Sequence, residues 1–259
     1  MGRDITRSHG KAHQMLPLPG EPLPSGVAIM SIKDWRRLNE LDQRLLDSGY
    51  MSDCAVVCKD VKWATHRAIL CNRNTWFRAA FDGGFKEAST GVVIVEDTTP
   101  EVLQIVLDSI YTGEFKFVAS GPVKIIEVWK AGDFFGISDI RSAAERAMGR
   151  RLMMSEALFS YDPKAKDKAQ AKEPTREMIE NEIEEICEAL VLASNVTPES
   201  SYIQKTLHRH VCESRDVRSA LSSSAFFARF MQTCPRGLME PLTLRWIREH
   251  SLIDYRNSD

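Results

Sequence analysis

The sequence predicts an α+β fold, a short sheet with surrounding helices, followed by a region of helices alone. Two patterns predict it. A β-hairpin pattern lies near residue 60, and apolar residues recur every three or four positions through most of the chain after it. A lysine-rich segment between two prolines, residues 160–175, interrupts the helical pattern. We therefore expect a domain over residues 31–159, a charged linker, and a helical region over residues 176–259.

The N-terminal 30 residues are polar and rich in proline, a composition that predicts a disordered tail. A helix is expected next, because Ser31 and Asp34 have the spacing of a capping box, with aspartate in place of glutamate. The helical pattern ends at Ser48-Gly49. Its apolar face consists of Trp35, Leu38, Leu41, Leu45 and Leu46.

Three short segments predict the strands of the sheet. Residues 55–58 are an apolar run, and residues 61–65 alternate between apolar and polar side chains. Lys59 and Asp60 lie between them, so we expect a hairpin with these two residues in its turn. Residues 92–95 are rich in β-branched side chains and predict a further strand.

Helices are predicted between and after these strands. Apolar spacing at residues 68–70 and 76–81 predicts two helices that end at Gly83-Gly84. Thr99 is expected to be an N-cap with Pro100 at the first helical position, a favourable pair at a helix start.

The next helical boundaries are marked by glycine, proline and serine. The helix that begins at Pro100 is expected to end at Gly113, and Pro122 is expected to begin another that stops at Gly136. Ser138 is the predicted N-cap of the helix that follows.

The segment after residue 175 predicts an all-helical region. One helix has an apolar face from Met178 to Val191, and Thr197 is the predicted N-cap of the next. Shorter helices are expected at residues 216–221, 224–231 and 241–249. Since each is apolar on one side only, we expect these helices to pack on one another and on the first domain.

Composition limits the functions that the chain can have. The apolar fraction of 43% is enough for a core, and a net charge of −2 provides no general attraction to nucleic acid or membranes. Neither a membrane span nor a signal peptide is predicted, so the expected location is cytoplasmic or nuclear. The scattered cysteines are expected to be reduced core residues. Lysines 164, 166, 168 and 172 also permit an interpretation as a nuclear-localisation signal, although alanine and aspartate interrupt them.

Residues that could carry chemistry are scattered. His66 follows a strand near Asp53, but no nucleophile accompanies them, and a structural histidine is the simpler interpretation. His208, His210 and Cys212 lack the further ligands that a zinc site needs. Glycine-rich phosphate loops and hydrolase motifs are not found. We therefore expect no catalysis, no cofactor and no metal.

One stretch resembles a known family. It contains Ser52-Asp53-Cys54-Ala55-Val56-Val57, then Trp63-Ala64-Thr65-His66-Arg67-Ala68-Ile69-Leu70, then Gly84-Phe85-Lys86-Glu87-Ala88, and it closes with Ile110-Tyr111-Thr112-Gly113. The order and spacing resemble the BTB/POZ family of protein–protein interaction domains, and the whole chain is similar to filamentous-fungal BTB proteins without an attached reader domain. The helical region loosely resembles the BACK region that follows many BTB domains.

The resemblance implies roles for particular residues. In BTB adaptors a hydrophobic-x-Glu triplet docks on cullin-3, and here that triplet is Phe85-Lys86-Glu87, with Tyr111 on the same implied surface. The alternative is that Phe85 fills the core and Glu87 is solvated. The implied dimer interface or charged pocket comprises Trp35, Leu38, Leu45, Asp53 and Arg67, and His66 is implied to be structural. The apolar residues 27–32 could correspond to a strand that longer BTB proteins exchange between protomers.

The resemblance favours a homodimeric substrate adaptor of a cullin-3-type ubiquitin ligase. Its expected partners are a second copy of the chain, cullin-3 and an unknown target protein, with no nucleic acid and no membrane. The alternative is a BTB scaffold in transcriptional or signalling assembly that does not bind a cullin.

Overall fold

The computed structural model of the chain describes residues 32–114, 121–161, 173–198 and 201–233, with side chains from residue 39 onward. The predicted tail at residues 1–30 and the predicted helix at 241–249 lie outside these residues. No helix among those described is both long and apolar enough to cross a membrane.

The N-terminal part of the fold mixes helices with three short strands, as the sequence predicts. In chain order its elements are α1 Ile32–Ser48, β1 Cys54–Cys58, β2 Val61–Thr65, α2 Arg67–Arg73, α3 Thr75–Asp82, α4 Lys86–Thr90, β3 Val92–Ile94, α5 Pro100–Thr112, α6 Pro122–Phe134 and α7 Ser138–Phe159. After residue 173 the described elements are helices: α8 Arg176–Val196, α9 Tyr202–Glu213, α10 Arg215–Ser223 and α11 Ala225–Thr233. The predicted α+β class followed by helices is confirmed.

Strand β1 lies at the centre of the sheet, whose order is β2-β1-β3. It pairs antiparallel with β2, where Val56 lies opposite Trp63, and parallel with β3, where Val56 lies opposite Val93. Lys59 closes the predicted hairpin turn with a positive φ of 50°. Both edges of β1 are therefore paired, and four of its five residues are buried.

Most helix ends match the sequence expectation. The Thr99 side chain accepts a hydrogen bond from the Val102 N–H, with Pro100 at the first helical position, and Gly113 ends α5 in the left-handed conformation. Two predicted caps are wrong. Ser138 is the first residue of α7 and makes no cap, because Ile137 takes the preceding position.

The second wrong cap is Thr197, which ends α8 rather than beginning α9. Its hydroxyl donates to the Ala193 carbonyl at 2.8 Å, so it is held in the last turn of α8. The N-cap of α9 is Ser201, whose side chain accepts from the Gln204 N–H. One serine or threonine in a polar connection looks much like another from sequence alone, which explains the shift.

The hydrophobic core is continuous from β1 to α11. Helices α8, α9 and α10 pack against α6 or α7, and α11 packs on α8 and α10, so the residues on either side of the predicted linker share one core. A buried ion pair adds to this contact: the Arg151 guanidinium on α7 donates to both carboxylate oxygens of Glu182 on α8, at 2.7 and 2.6 Å. Where a domain boundary falls stays a prediction.

Candidate functional site

The triplet Phe85-Lys86-Glu87 lies at the start of α4, a short helix between α3 and β3 that the sequence patterns do not predict. The Phe85 side chain is 66% exposed, which is unusual for a phenylalanine in a described region with a large core. The interpretation of Phe85 as a core residue is therefore wrong. Lys86 is exposed, and Glu87 is half-buried in the first turn of α4, where a carboxylate is favourable.

Phe85 rests on a tightly turned backbone. A Cβ atom on Gly83 would lie 2.2 Å from the Ala79 carbonyl oxygen and 3.1 Å from a ring carbon of Phe85. Only glycine fits at position 83, and the phenylalanine ring packs over it. One side of the exposed Phe85 ring therefore packs against the backbone at Gly83.

The Arg67 side chain connects α4 to α2 and α3. Its guanidinium donates to the Ala88 carbonyl of α4 at 2.8 Å and to the Phe81 carbonyl of α3 at 3.5 Å. The same guanidinium carbon lies 5.0 Å from the centre of the Phe81 ring, in cation–π contact. Because one half-buried side chain ties α2 to both α3 and α4, the exposed triplet is carried on a rigid support.

Asp53 and Arg67, the charged residues of the implied pocket, have different partners in the structure. The Asp53 carboxylate accepts a hydrogen bond at 2.8 Å from the backbone N–H of Arg67, an otherwise unpaired donor at the start of α2. The guanidinium is directed to the carbonyls of Phe81 and Ala88. Asp53 thus stabilises the start of a helix, and Arg67 supports the triplet, so the two side chains act separately.

Tyr111 is not on the docking surface that the resemblance implies. Its side chain is fully buried, and its hydroxyl accepts from the backbone N–H of His66 at 2.9 Å. Burial raises the pKa of this hydroxyl above its usual value, so it stays protonated. A partner protein at the surface cannot contact this side chain, so Tyr111 is not part of the proposed cullin contact.

His66 is part of the same buried network. Its Nδ1 lies 2.9 Å from the Tyr111 hydroxyl, and its Nε2 lies 2.8 Å from the Tyr50 carbonyl oxygen. A carbonyl oxygen can only accept, so the tautomer that fits both contacts has its ring hydrogen on Nε2, and Nδ1 accepts the hydroxyl hydrogen of Tyr111. His66 therefore links the turn before β1, the start of α2 and the end of α5.

Three of the residues expected at a dimer interface, Trp35, Leu38 and Leu45, lie on α1. Leu45 is half-buried against the core, whereas the side chains of Trp35 and Leu38 lie outside the described residues. Sequence reasoning missed an exposed apolar pair in the turn after α1: Tyr50 is 68% exposed and Met51 is 78% exposed. The sequence does contain a signal for this exposed pair, since an aromatic residue and a methionine directly follow Gly49, where the helix stops.

Groups that could hold a metal are not found among the described residues. His210 is buried in α9, with Nε2 at 3.3 Å from the Ser155 hydroxyl, and Cys212 is buried on the same helix. The cysteines of the described ranges are not joined in disulfides. Burial raises the pKa of the Cys54 thiol to about 11, which keeps it from acting as a nucleophile at neutral pH.

Comparison with known proteins finds a family model that matches part of this chain. Residues 43–152 match the family model of the BTB/POZ domain. The chain is similar to Kelch-like protein 40b of Danio rerio, with 27% identity over 117 residues that cover 45% of this chain and 18% of that protein. It is also similar to TD and POZ domain-containing protein 1-like of Mus musculus, with 28% identity over 136 residues, 52% of this chain and 37% of that protein.

A third relative is Kelch repeat and BTB domain-containing protein 4 of Homo sapiens, with 23% identity over 113 residues, 44% of this chain and 21% of that protein. The chain thus spans between 18% and 37% of the length of these curated relatives. The family model itself covers the sheet and the helices from the second half of α1 to most of α7.

Proposed function

Because residues 43–152 form a BTB/POZ domain, we propose that the protein is a protein-interaction module that acts as a homodimeric substrate adaptor of a cullin-3-type ubiquitin ligase. The main observation behind this proposal is the exposed Phe85 ring at the start of α4, with Glu87 two residues later. Arg67 fixes this helix by a hydrogen bond to the Ala88 carbonyl. We place the protein in the cytoplasm or nucleus.

The physical argument starts from the cost of leaving this ring in water. Burying a phenylalanine side chain at an interface contributes roughly 1.5–3 kcal/mol, and a pre-ordered ring loses little further entropy on binding. A small number of such anchors dominate the binding energy of most interfaces. Glu87 follows two residues later in the first turn of α4, where its carboxylate can orient polar groups of the partner. Without Tyr111, the proposed cullin-3 contact consists of Phe85, Lys86 and Glu87.

Replacing Phe85 by alanine is expected to weaken cullin-3 binding about thirtyfold, equivalent to about 2 kcal/mol. The change removes an exposed ring, so the thermal melting temperature should stay close to that of the wild type. Titration calorimetry with a purified cullin-3 fragment measures the effect, and Glu87→Ala should weaken binding less. Met154→Ala is the matched control, because Met154 is 71% exposed but lies on α7.

Two outcomes would contradict the adaptor role. A wild-type chain that does not bind the cullin-3 fragment removes it and favours the alternative, a BTB scaffold in transcriptional or signalling assembly. Equal binding of the wild type and Phe85→Ala would mean that a cullin contact, if present, is made by another surface.

The homodimer is proposed through α1 and the turn that follows it. Leu41 on α1 is 45% exposed, and Tyr50 and Met51 in the turn are exposed as well. A stable dimer of this kind usually buries more than about 1,000 Å². We expect light scattering at tens of micromolar protein to give the mass of a dimer, because exposed apolar side chains on α1 and in the turn after it favour self-association. A monomer mass at that concentration would contradict the proposal.

A further inference from the structure

A groove with a volume of about 390 Å³ lies between α7 and α9. It falls within the usual range for ligand-binding sites. On the α7 side its wall includes Leu152, which is buried, and Met153, whose side chain is 71% exposed. An exposed methionine is flexible and polarizable, and such side chains are common on surfaces that accept partner proteins. The groove is therefore partly apolar and open to solvent.

The two helices run in the same direction along the groove. At one end Gly149 lies close to Tyr202, since a Cβ on Gly149 would be 3.8 Å from the tyrosine hydroxyl. At the other end the Ser214 hydroxyl donates to the Glu156 carboxylate at 2.9 Å. Helix α7 ends at Phe159 and α9 at Glu213, so the C-terminal ends of both helices meet at this second end.

This end of the groove is electronegative. The C-terminus of a helix carries partial negative charge, and each helix adds a carboxylate in or near its last turn, Glu156 on α7 and Glu213 on α9. The cations that compensate are on the α9 side. Arg209 lies 3.8 Å from Glu213, and the Arg218 guanidinium donates to the Cys212 carbonyl.

The α7 side has no such compensation. Among the residues that the structure describes, no lysine, arginine or histidine forms an ion pair with Glu156. His210 faces the same region from α9, but it is buried, and burial lowers its pKa and keeps it neutral near pH 7. Ser214 gives Glu156 a hydrogen bond without charge. Glu156 is exposed, so its carboxylate is open to a basic side chain of a partner, whose charge would be complementary to this end of the groove.

We propose that the groove binds a segment of the adaptor's target protein that places a basic side chain beside Glu156 and an adjacent apolar side chain against Leu152 and Met153. The identification of the occupant as a target rests on the proposed adaptor function. The chemistry of recognition rests only on the groove: one carboxylate without a cation, at the end of a helix, next to an apolar wall.

The test uses three short synthetic peptides that differ only in a central pair, Leu-Arg, Leu-Glu or Ser-Arg. Fluorescence anisotropy with the full chain should give at least tenfold tighter binding of the Leu-Arg peptide than of either other peptide. The variant Glu156→Arg should reverse the preference between Leu-Arg and Leu-Glu, a result that an unfolded variant cannot give. Glu188→Arg is the control, because Glu188 is exposed on α8 outside the groove and should leave the preference unchanged.

Several outcomes would overturn the inference. One is equal binding of the three peptides, and another is a preference that Glu156→Arg does not alter. Displacement of the Leu-Arg peptide by the cullin-3 fragment would assign the groove to cullin docking. A change in the dimer mass of Glu156→Arg would assign it to contact between copies of the chain. Phe85→Ala should bind the peptides as the wild type does, so a failure of cullin binding and a failure of this inference give different results.

Discussion

Replacing Arg151 by methionine is expected to lower the free energy of unfolding by about 3 kcal/mol, since removal of one partner leaves a buried carboxylate without its cation. The side chains of Arg151 and Glu182 are only 16% and 10% exposed, and their contact is bidentate. The hydrogen bonds to Glu182 also raise the pKa of the guanidinium, which shows that its charged form is stabilised in the fold. Chemical denaturation measures the loss.

The matched control is the double variant Arg151→Met with Glu182→Leu. With both charges replaced by apolar side chains, the interior holds no unpaired charge, and stability should return to within about 1 kcal/mol of the wild type. Glu185, the third member of the cluster, is 46% exposed and can be hydrated in either variant. A single variant as stable as the wild type would contradict this view, because it would mean that water already screens the pair.

Replacing Tyr111 by phenylalanine is expected to destabilise the fold by about 3 kcal/mol. The missing hydroxyl leaves two buried groups of His66 without partners, its backbone N–H and its Nδ1, and each costs roughly 1–3 kcal/mol. Tyr202→Phe is the control, since Tyr202 is 52% exposed and the same change there should have little effect.

The same variant separates a structural from a docking role. At a temperature well below its melting point, Tyr111→Phe should bind the cullin-3 fragment as the wild type does, because the buried ring is not part of the contact surface. Weaker binding by a folded Tyr111→Phe would mean that the Tyr111 hydroxyl does contribute to the cullin-3 contact.

The sequence predicts the fold well where one local pattern decides the structure. The β1–β2 hairpin follows from alternation and a two-residue turn, and α5 follows from Thr99, Pro100 and Gly113. Helix α4 was missed because five residues are too few for an apolar period, and its position depends on the distant Arg67. Local patterns do not report contacts of that kind.

The candidate site is predictable only in part. The triplet can be recognised as residues, but the exposure of Phe85 and the burial of Tyr111 are tertiary properties that the two aromatic residues do not reveal in sequence. The groove between α7 and α9 is harder still, because its two walls are joined only by the packing of separate helices. Glu156 and Met153 look like ordinary surface residues until α9 lies beside them.

The central position of β1 also affects the order in which the chain can fold. Its antiparallel neighbour β2 follows after a two-residue turn, and hairpins of this kind close within microseconds. Its parallel neighbour β3 is reached only after α2, α3 and α4, where Ala55 pairs with Val92 across a long stretch of chain. Closing that stretch costs entropy before any pairing is gained. One edge of β1 is therefore expected to stay open until Arg67 draws α3 and α4 together, which makes this side chain a part of folding as well as of the finished surface.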